Sequence, residues 1–114
     1  MDFTPSSADL AAIFDRVVPT DPGVSRRKMF GWPAAFVGGR MFASLHRESV
    51  VIRLEPAQLA AFLLLPGARP FEPMPGRPMT GYALVPVAML ADEPELGAWL
   101  DRALAFTRGL PPKK

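Results

Sequence analysis

Apolar residues recur at helical spacing in three separate segments of the chain, and each segment predicts an amphipathic helix. The predicted helices run from Ser7 to Val18, from Pro56 to the stop at Pro66-Gly67, and from Asp92 to the stop at Gly109. Their buried stripes are Leu10, Ile13, Phe14, Val17 and Val18; Leu59, Phe62 and Leu63; and Leu96, Trp99, Leu100, Ala103 and Leu104.

Between the first two helices the pattern changes to the alternation of β-strands. Gly38-Gly39 suits a two-residue hairpin turn, in which Phe36 opposes Met41 and Ala35 opposes Phe42. Alternation then predicts an apolar face towards the helices, made of Trp32, Ala34, Phe36, Met41, Ala43, Leu45, Val50, Ile52 and Leu54. The second face is mixed and carries Ala35, Val37, Arg40, Phe42, Ser44, Val51 and Arg53.

Two further short strands are predicted, over Arg27 to Gly31 and over Gly81 to Val85. The fold class is therefore α+β, a two-layer sandwich with an antiparallel sheet of about five strands and three helices on one face. The element order is α-β-β-β-α-β-α, or the same with one additional short strand. We expect residues 1–114 to form a single domain.

A proline-rich segment, residues 66–80, separates the second helix from the last strand and holds five prolines and two glycines. Long connections of this kind in compact domains are usually functional or disordered. Phe71, Met74 and Met79 predict that the segment is held against the core.

Composition excludes several classes of chemistry. The chain has no cysteine and one histidine, which rules out thiolate metal sites, disulfides and multi-histidine sites. His46 is predicted to be an exposed histidine of a polar turn, and most acids fall in helix first turns, where capping explains them. We therefore expect no enzyme: no catalytic residue, no cofactor and no metal site. No apolar run is long enough to span a membrane, so we expect a cytoplasmic protein without a membrane partner.

Charge is distributed unevenly, and this directs attention to binding. Residues 22–87 carry eight basic and three acidic side chains. Candidate interaction residues are Arg40, Phe42 and Arg53 on the second face, Arg27 and Lys28 in the first strand, and Arg77 in the proline-rich segment. Arg27 should point to one side of that strand, with Arg26 and Lys28 on the other. The strand is predicted to be an edge protected by charge, with an anion- or partner-binding edge as the alternative.

Three kinds of function stay open at this point. The leading one is a protein-interaction module, with a protein partner or self-association as a homodimer. A second is nucleic-acid binding by the basic middle of the chain, residues 22–87, although no nucleic-acid-binding motif is present. The third is a small-ligand or enzymatic pocket near the proline-rich loop.

Two segments carry the most specific sequence pattern. One is Arg27-Lys28-Met29-Phe30-Gly31, followed by Pro33-Ala34-Ala35-Phe36-Val37 and Gly39-Arg40-Met41-Phe42-Ala43. The other is Phe71-Glu72-Pro73-Met74-Pro75-Gly76-Arg77-Pro78-Met79, followed by Tyr82 and Pro86. With Ala98-Trp99-Leu100 and Ala103, they resemble the N-terminal domain of the TfoX/Sxy family, from about Leu10 to Leu110.

The resemblance implies a two-layer domain with helices covering one side of an antiparallel sheet. It also implies a regulatory role, because the family's namesakes are regulators of natural competence that act with the cyclic-AMP receptor protein at promoters. Those proteins have a second, helical C-terminal domain, so we expect this chain to be a stand-alone version of the N-terminal domain. The family offers no catalytic residues to carry over.

Overall fold

The structure is a computed structural model that describes residues 7–29, 31–46, 49–72, 74, 76–77 and 79–111. The described residues form three α-helices, α1 (Ser7–Val17), α2 (Pro56–Phe62) and α3 (Glu93–Arg108), and a short 3-10 helix, Val87–Ala91. The strands are β1 (Val24–Met29), β2 (Trp32–Val37), β3 (Arg40–His46), β4 (Ser49–Arg53), β5 (Arg69–Pro70) and β6 (Tyr82–Leu84). Arg47 and Glu48 of the predicted polar turn lie outside the described residues.

The six strands form one antiparallel sheet in the order β1-β2-β3-β4-β6-β5. All three helices contribute buried side chains to a single core on one side of this sheet. The predicted α+β two-layer architecture is confirmed, with one strand more than the five expected. The extra strand, β5, is only two residues long, and alternation cannot reveal a strand of that length.

The predicted helical stripes build the helix-side core, since Leu10 and Phe14 of α1 meet Leu96 and Leu100 of α3 in the same buried cluster. Asp92 accepts a hydrogen bond from the Glu95 N–H at 3.2 Å and so caps α3, as its spacing predicted. Among the described residues, the buried cluster on the opposite face contains no helix residue, and we call this face the open face.

The hairpin turn at Gly38-Gly39 is confirmed, but the pairing beyond it differs from the expected one. Both glycines have positive φ, +60° and +79°, which few other residues adopt easily. Phe36 pairs with Met41, but Ala35 then pairs with Ala43. Phe42 is therefore an extra residue, a β-bulge that shifts the register of the hairpin by one.

The bulge overturns part of the predicted division between the faces. The side chains of Ala35, Val37 and Phe42 lie in the helix-side core, and Phe42 is fully buried there. Ala34, Phe36 and Met41, which alternation assigned to the helix side, pack on the open face. Beyond the bulge the prediction is correct for a set of residues on both faces: Ala43, Leu45, Val50, Ile52 and Leu54 on the helix side, and Val51 and Arg53 on the open face.

The proline-rich segment covers part of the open face. Phe71 is buried there in a second cluster with Met41, Val51 and Tyr82. Backbone hydrogen bonds hold the segment in place, from Phe71 N–H to the Tyr82 carbonyl at 3.1 Å and from Met79 N–H to the Phe71 carbonyl at 2.8 Å. The prediction that Phe71 and Met79 hold the segment is confirmed. It is wrong for Met74, which is 59% exposed.

Candidate functional site

Acidic and basic side chains are segregated between the two layers. The six strands contain six basic residues and no acidic one, whereas the three helices contain five acids and three bases. The strand bases are Arg26, Arg27, Lys28, Arg40, Arg53 and Arg69. Of these, only Arg26 forms an ion pair with a described residue, Asp15 of α1. The sheet layer thus presents positive charge that the described protein does not neutralise.

Strand β1 directs its basic side chains to both faces, as predicted. Arg26 turns towards the helices, where it also donates to the Asp15 carbonyl. Arg27 turns to the open face, where its guanidinium carbon lies 5.2 Å from the centre of the half-buried Phe36 ring. Lys28 is exposed and has no ion pair with a described residue. Arg27 and Phe36 therefore form a cation–π pair on the surface of the sheet.

Arg53 lies at the far end of β4, between two aromatic rings. Its guanidinium carbon is 5.5 Å from the Tyr82 ring centre and 5.9 Å from that of Phe106, near the end of α3. The Arg53 Nε is buried and has no hydrogen-bond partner among the described residues. Two strands separate β4 from β1, so Arg53 and Arg27 mark opposite sides of the open face.

Tyr82 holds the open face together through a buried hydrogen bond. Its hydroxyl donates to the Met41 carbonyl at 2.9 Å, reaching across β4 to the strand that carries the bulge. Burial raises the pKa of the Tyr82 hydroxyl, although the charges of Arg53 and Arg40 partly offset this rise.

The remaining predicted interaction residues do not join the open face. The prediction that placed Phe42 on the second face as an interaction residue is wrong, because the bulge buries this ring under the helices. Arg40 pairs with Val37 of the helix side, and its Nε donates to the Pro111 carbonyl beyond α3 at 3.0 Å, so it lies at the end of the sheet. Arg77 is exposed in a turn of the proline-rich segment.

His46 is half-buried, which corrects the prediction of an exposed turn residue. It ends strand β3, and its ring centre lies 5.0 Å from Phe71 in an edge-to-face arrangement and 6.4 Å from Trp32. The strand extends one residue further than the polar sequence suggested, and the proline-rich segment brings Phe71 over it. The sequence contains these aromatic residues, but only the folded segment brings them together.

A cavity of about 450 Å³ lies beside the start of the proline-rich segment, where Gly67 and Arg69 face Ser49 and Pro86. It contains none of the predicted interaction residues. Within the described residues, no group of three or more His, Cys, Asp or Glu side chains could hold a metal ion. No described helix combines the length and the apolar character that crossing a membrane requires.

Sequence reasoning missed Phe36 and Tyr82 as open-face residues, although one signal was available. Residues 34–37 and 41–43 are apolar at every position, which is typical of strands covered on both faces. Such a run predicts a second apolar cluster opposite the helices. Alternation cannot say which residue belongs to which face in a stretch of this kind.

Comparison with known proteins agrees with the fold. A family model described as the TfoX N-terminal domain matches residues 17–107. No curated protein matches the chain. The matched region runs from the end of α1 to the last turn of α3 and so includes all six strands. The chain therefore belongs to the TfoX N-terminal domain family.

Proposed function

We propose that this chain is a non-enzymatic regulatory module that binds a protein partner through the open face of its sheet. The observation that carries the proposal is the pairing of Arg27 with the half-buried Phe36 ring on a face that no described helix covers. Arginine and aromatic side chains dominate the energetics of protein interfaces. The unneutralised charge of the strands favours a partner surface that is both apolar and acidic.

The geometry favours a protein over a nucleic acid. Arg27 already lies over the Phe36 ring, so this ring does not present a bare face for a base to stack on. The strand bases also point in different directions: Arg26 contacts Asp15 of α1, and Arg40 contacts the Pro111 carbonyl. A nucleic-acid strand needs a continuous basic track, which these directions do not provide.

The roles of the ionisable side chains support the non-enzymatic part of the proposal. Glu55 caps α2 by accepting from the Gln58 N–H at 3.0 Å, and Asp92 caps α3. Glu93 pairs with Arg16 at 2.7 Å and joins α3 to α1. These acids stabilise helix ends and helix contacts, which accounts for them without catalysis.

Site-specific photocross-linking in the cells that produce the protein tests the proposal. A photoreactive residue replaces Phe36, and in a matched control it replaces Ala105, which is exposed on α3. We expect position 36 to capture one protein that position 105 does not. The captured protein is then purified, and its affinity for the chain is compared between the natural sequence and the variants Arg27→Ala and Phe36→Ser.

We expect each variant to weaken binding by about tenfold or more, as interface residues of this type do. Equal binding by the natural chain and both variants would contradict the open face as the binding surface. Cross-links from position 36 to nucleic acid alone would favour the basic middle as a nucleic-acid-binding surface. An enzymatic activity lost in His46→Gln would contradict the non-enzymatic part.

A further inference from the structure

The two edges of the sheet differ in their ability to accept another strand. The edge strand β5 has two residues, one of them Pro70, which has no N–H to donate. At the opposite edge, β1 spans six residues without proline and has a neighbour on one side only. An edge of this length presents a row of backbone donors and acceptors to any extended chain.

The outward-facing groups of β1 can be assigned from one hydrogen bond. The Val24 N–H bonds to the Asp21 carbonyl at 3.2 Å, and therefore it does not point towards β2. In an antiparallel pair every second residue directs its N–H and C=O to the partner strand. Arg26 and Lys28 share the direction of Val24, so their backbone groups face outwards.

The charges of β1 oppose pairing with a second copy of the chain. Arg26, Arg27 and Lys28 are consecutive, so an antiparallel β1–β1 pair that overlaps this run places bases opposite bases. Like charges directly opposite each other destabilise a sheet. An incoming strand with acids opposite these bases is stabilised by charge attraction instead. Lys28 is exposed, and Arg27 lacks an ion pair with the described residues, so both are available to such a strand.

We propose that β1 binds an extended acidic segment of a partner protein by strand addition. The segment pairs with the outward backbone groups of Arg26 and Lys28 and extends the sheet by one strand. Its acidic side chains lie beside Arg27 on the open face and beside Lys28 on the helix side. The inference rests on the proposed protein-binding function, since it names the chemistry of the partner next to the Arg27–Phe36 pair.

A synthetic valine-rich peptide with two adjacent glutamates, whose side chains point to opposite faces of a strand, tests strand addition. The matched control has two lysines in place of the glutamates. Binding is followed by nuclear magnetic resonance of the isotope-labelled full chain. We expect the acidic peptide to bind and to slow hydrogen exchange at the Arg26 and Lys28 amides. The Val24 amide, already bonded to Asp21, should change little.

Two substitutions of Lys28 distinguish the contribution of the backbone hydrogen bond to peptide binding from that of the side-chain charge. Lys28→Gln keeps the N–H and should weaken acidic-peptide binding by about two- to fivefold, as for one cross-strand charge pair. Lys28→Pro also removes the outward N–H and should weaken it by about tenfold or more. Arg69→Gln removes a base from the other edge and should change nothing. Unchanged spectra outside the site show that each variant is folded.

Several outcomes would overturn the proposal: no binding of the acidic peptide up to its solubility limit, equal binding of both peptides, or no effect of Lys28→Pro. A concentration-dependent dimer that Lys28→Pro abolishes would do so as well, because it would show β1 pairing with itself. If the Phe36 cross-link and its affinity losses persist in these cases, strand addition fails and the open-face function stands. If strand addition holds while Phe36→Ser binds the partner normally, the open face fails alone.

Discussion

The two faces of the sheet are packed by different means, and the difference indicates which face stabilises the fold and which face is free to take the binding role that we propose. The helix-side core joins 21 buried residues, which come from the three α-helices, the 3-10 helix, four of the six strands, and positions just beyond helix and strand ends. The second cluster has five buried residues, one of them Phe71 from the proline-rich segment. The open face adds cation–π pairs and a tyrosine hydrogen bond to this small cluster. Because the open face contributes less to the core, substitutions there that suit a partner should lower the free energy of unfolding by less.

The largest expected effect comes from two phenylalanines that are close in the hairpin and lie on opposite faces. Phe42→Ala should lower the free energy of unfolding by about 3–5 kcal/mol, because it leaves a cavity in the helix-side core. Phe36→Ala, on the half-buried open face, should cost about 1 kcal/mol. Urea unfolding followed by circular dichroism measures both. A loss for Phe36→Ala equal to that for Phe42→Ala would show that the two faces contribute alike.

An intermediate effect is expected at Tyr82. Tyr82→Phe removes the donor to the buried Met41 carbonyl and should cost about 1 kcal/mol. Since Tyr82 is the only tyrosine of the chain, its phenolate absorbance can be titrated without interference from another tyrosine. We expect the native midpoint to lie above the ordinary value of about 10 and to return to it in urea.

The sign of the pH dependence follows from the raised pKa of Tyr82. Above the unfolded pKa the unfolded chain loses the tyrosine proton first, so the folded state binds more protons and stability falls as the pH rises. The contribution is fully present below that pKa. Tyr82→Phe should remove this component of the alkaline loss, and an equal alkaline loss in the variant would contradict the burial of the hydroxyl.

The smallest effect is expected at Arg27. Arg27→Gln removes an exposed cation–π contact with Phe36 and should cost less than about 1 kcal/mol. Lys28→Gln, on the same strand without a ring contact, is the control and should leave the unfolding midpoint unchanged. A larger loss for Arg27→Gln would mean that this pair supports the fold, and binding defects of Arg27 variants would then need a correction for stability.

The elements that repeat a pattern over many residues could be predicted from the sequence. The stripes of α1 and α3 have helical spacing over several turns, and α3 begins after Asp92, whose side chain accepts a hydrogen bond from a free backbone N–H of the first turn. The hairpin turn was predictable for a different reason, since Gly38-Gly39 accepts positive φ at both positions. In each case the signal is local, and so the surrounding structure does not alter it.

The candidate site was predicted only in part. Of the predicted interaction residues, Arg27 and Arg53 lie on or beside the open face, and Lys28 lies on the edge strand. Phe42 does not lie on the open face, because the extra residue of the bulge in β3 turns its side chain to the helix side of the sheet. Phe36 and Tyr82 belong to the specific sequence pattern, but their place on the open face was not predicted, because their neighbours in the fold come from other strands.

The sequence by itself determined the α+β class, the three helices, the glycine turn and the basic character of the strands. These depend on periodicity, capping and composition, which short stretches of chain contain in full. Only the tertiary structure decided which side of each strand meets the helices, that Phe71 covers the open face, and that Arg53 lies between Tyr82 and Phe106. Strand residues 34–37 and 41–43 are apolar on both sides, so the choice of face depended on a bulge and on long-range packing that no local pattern contains.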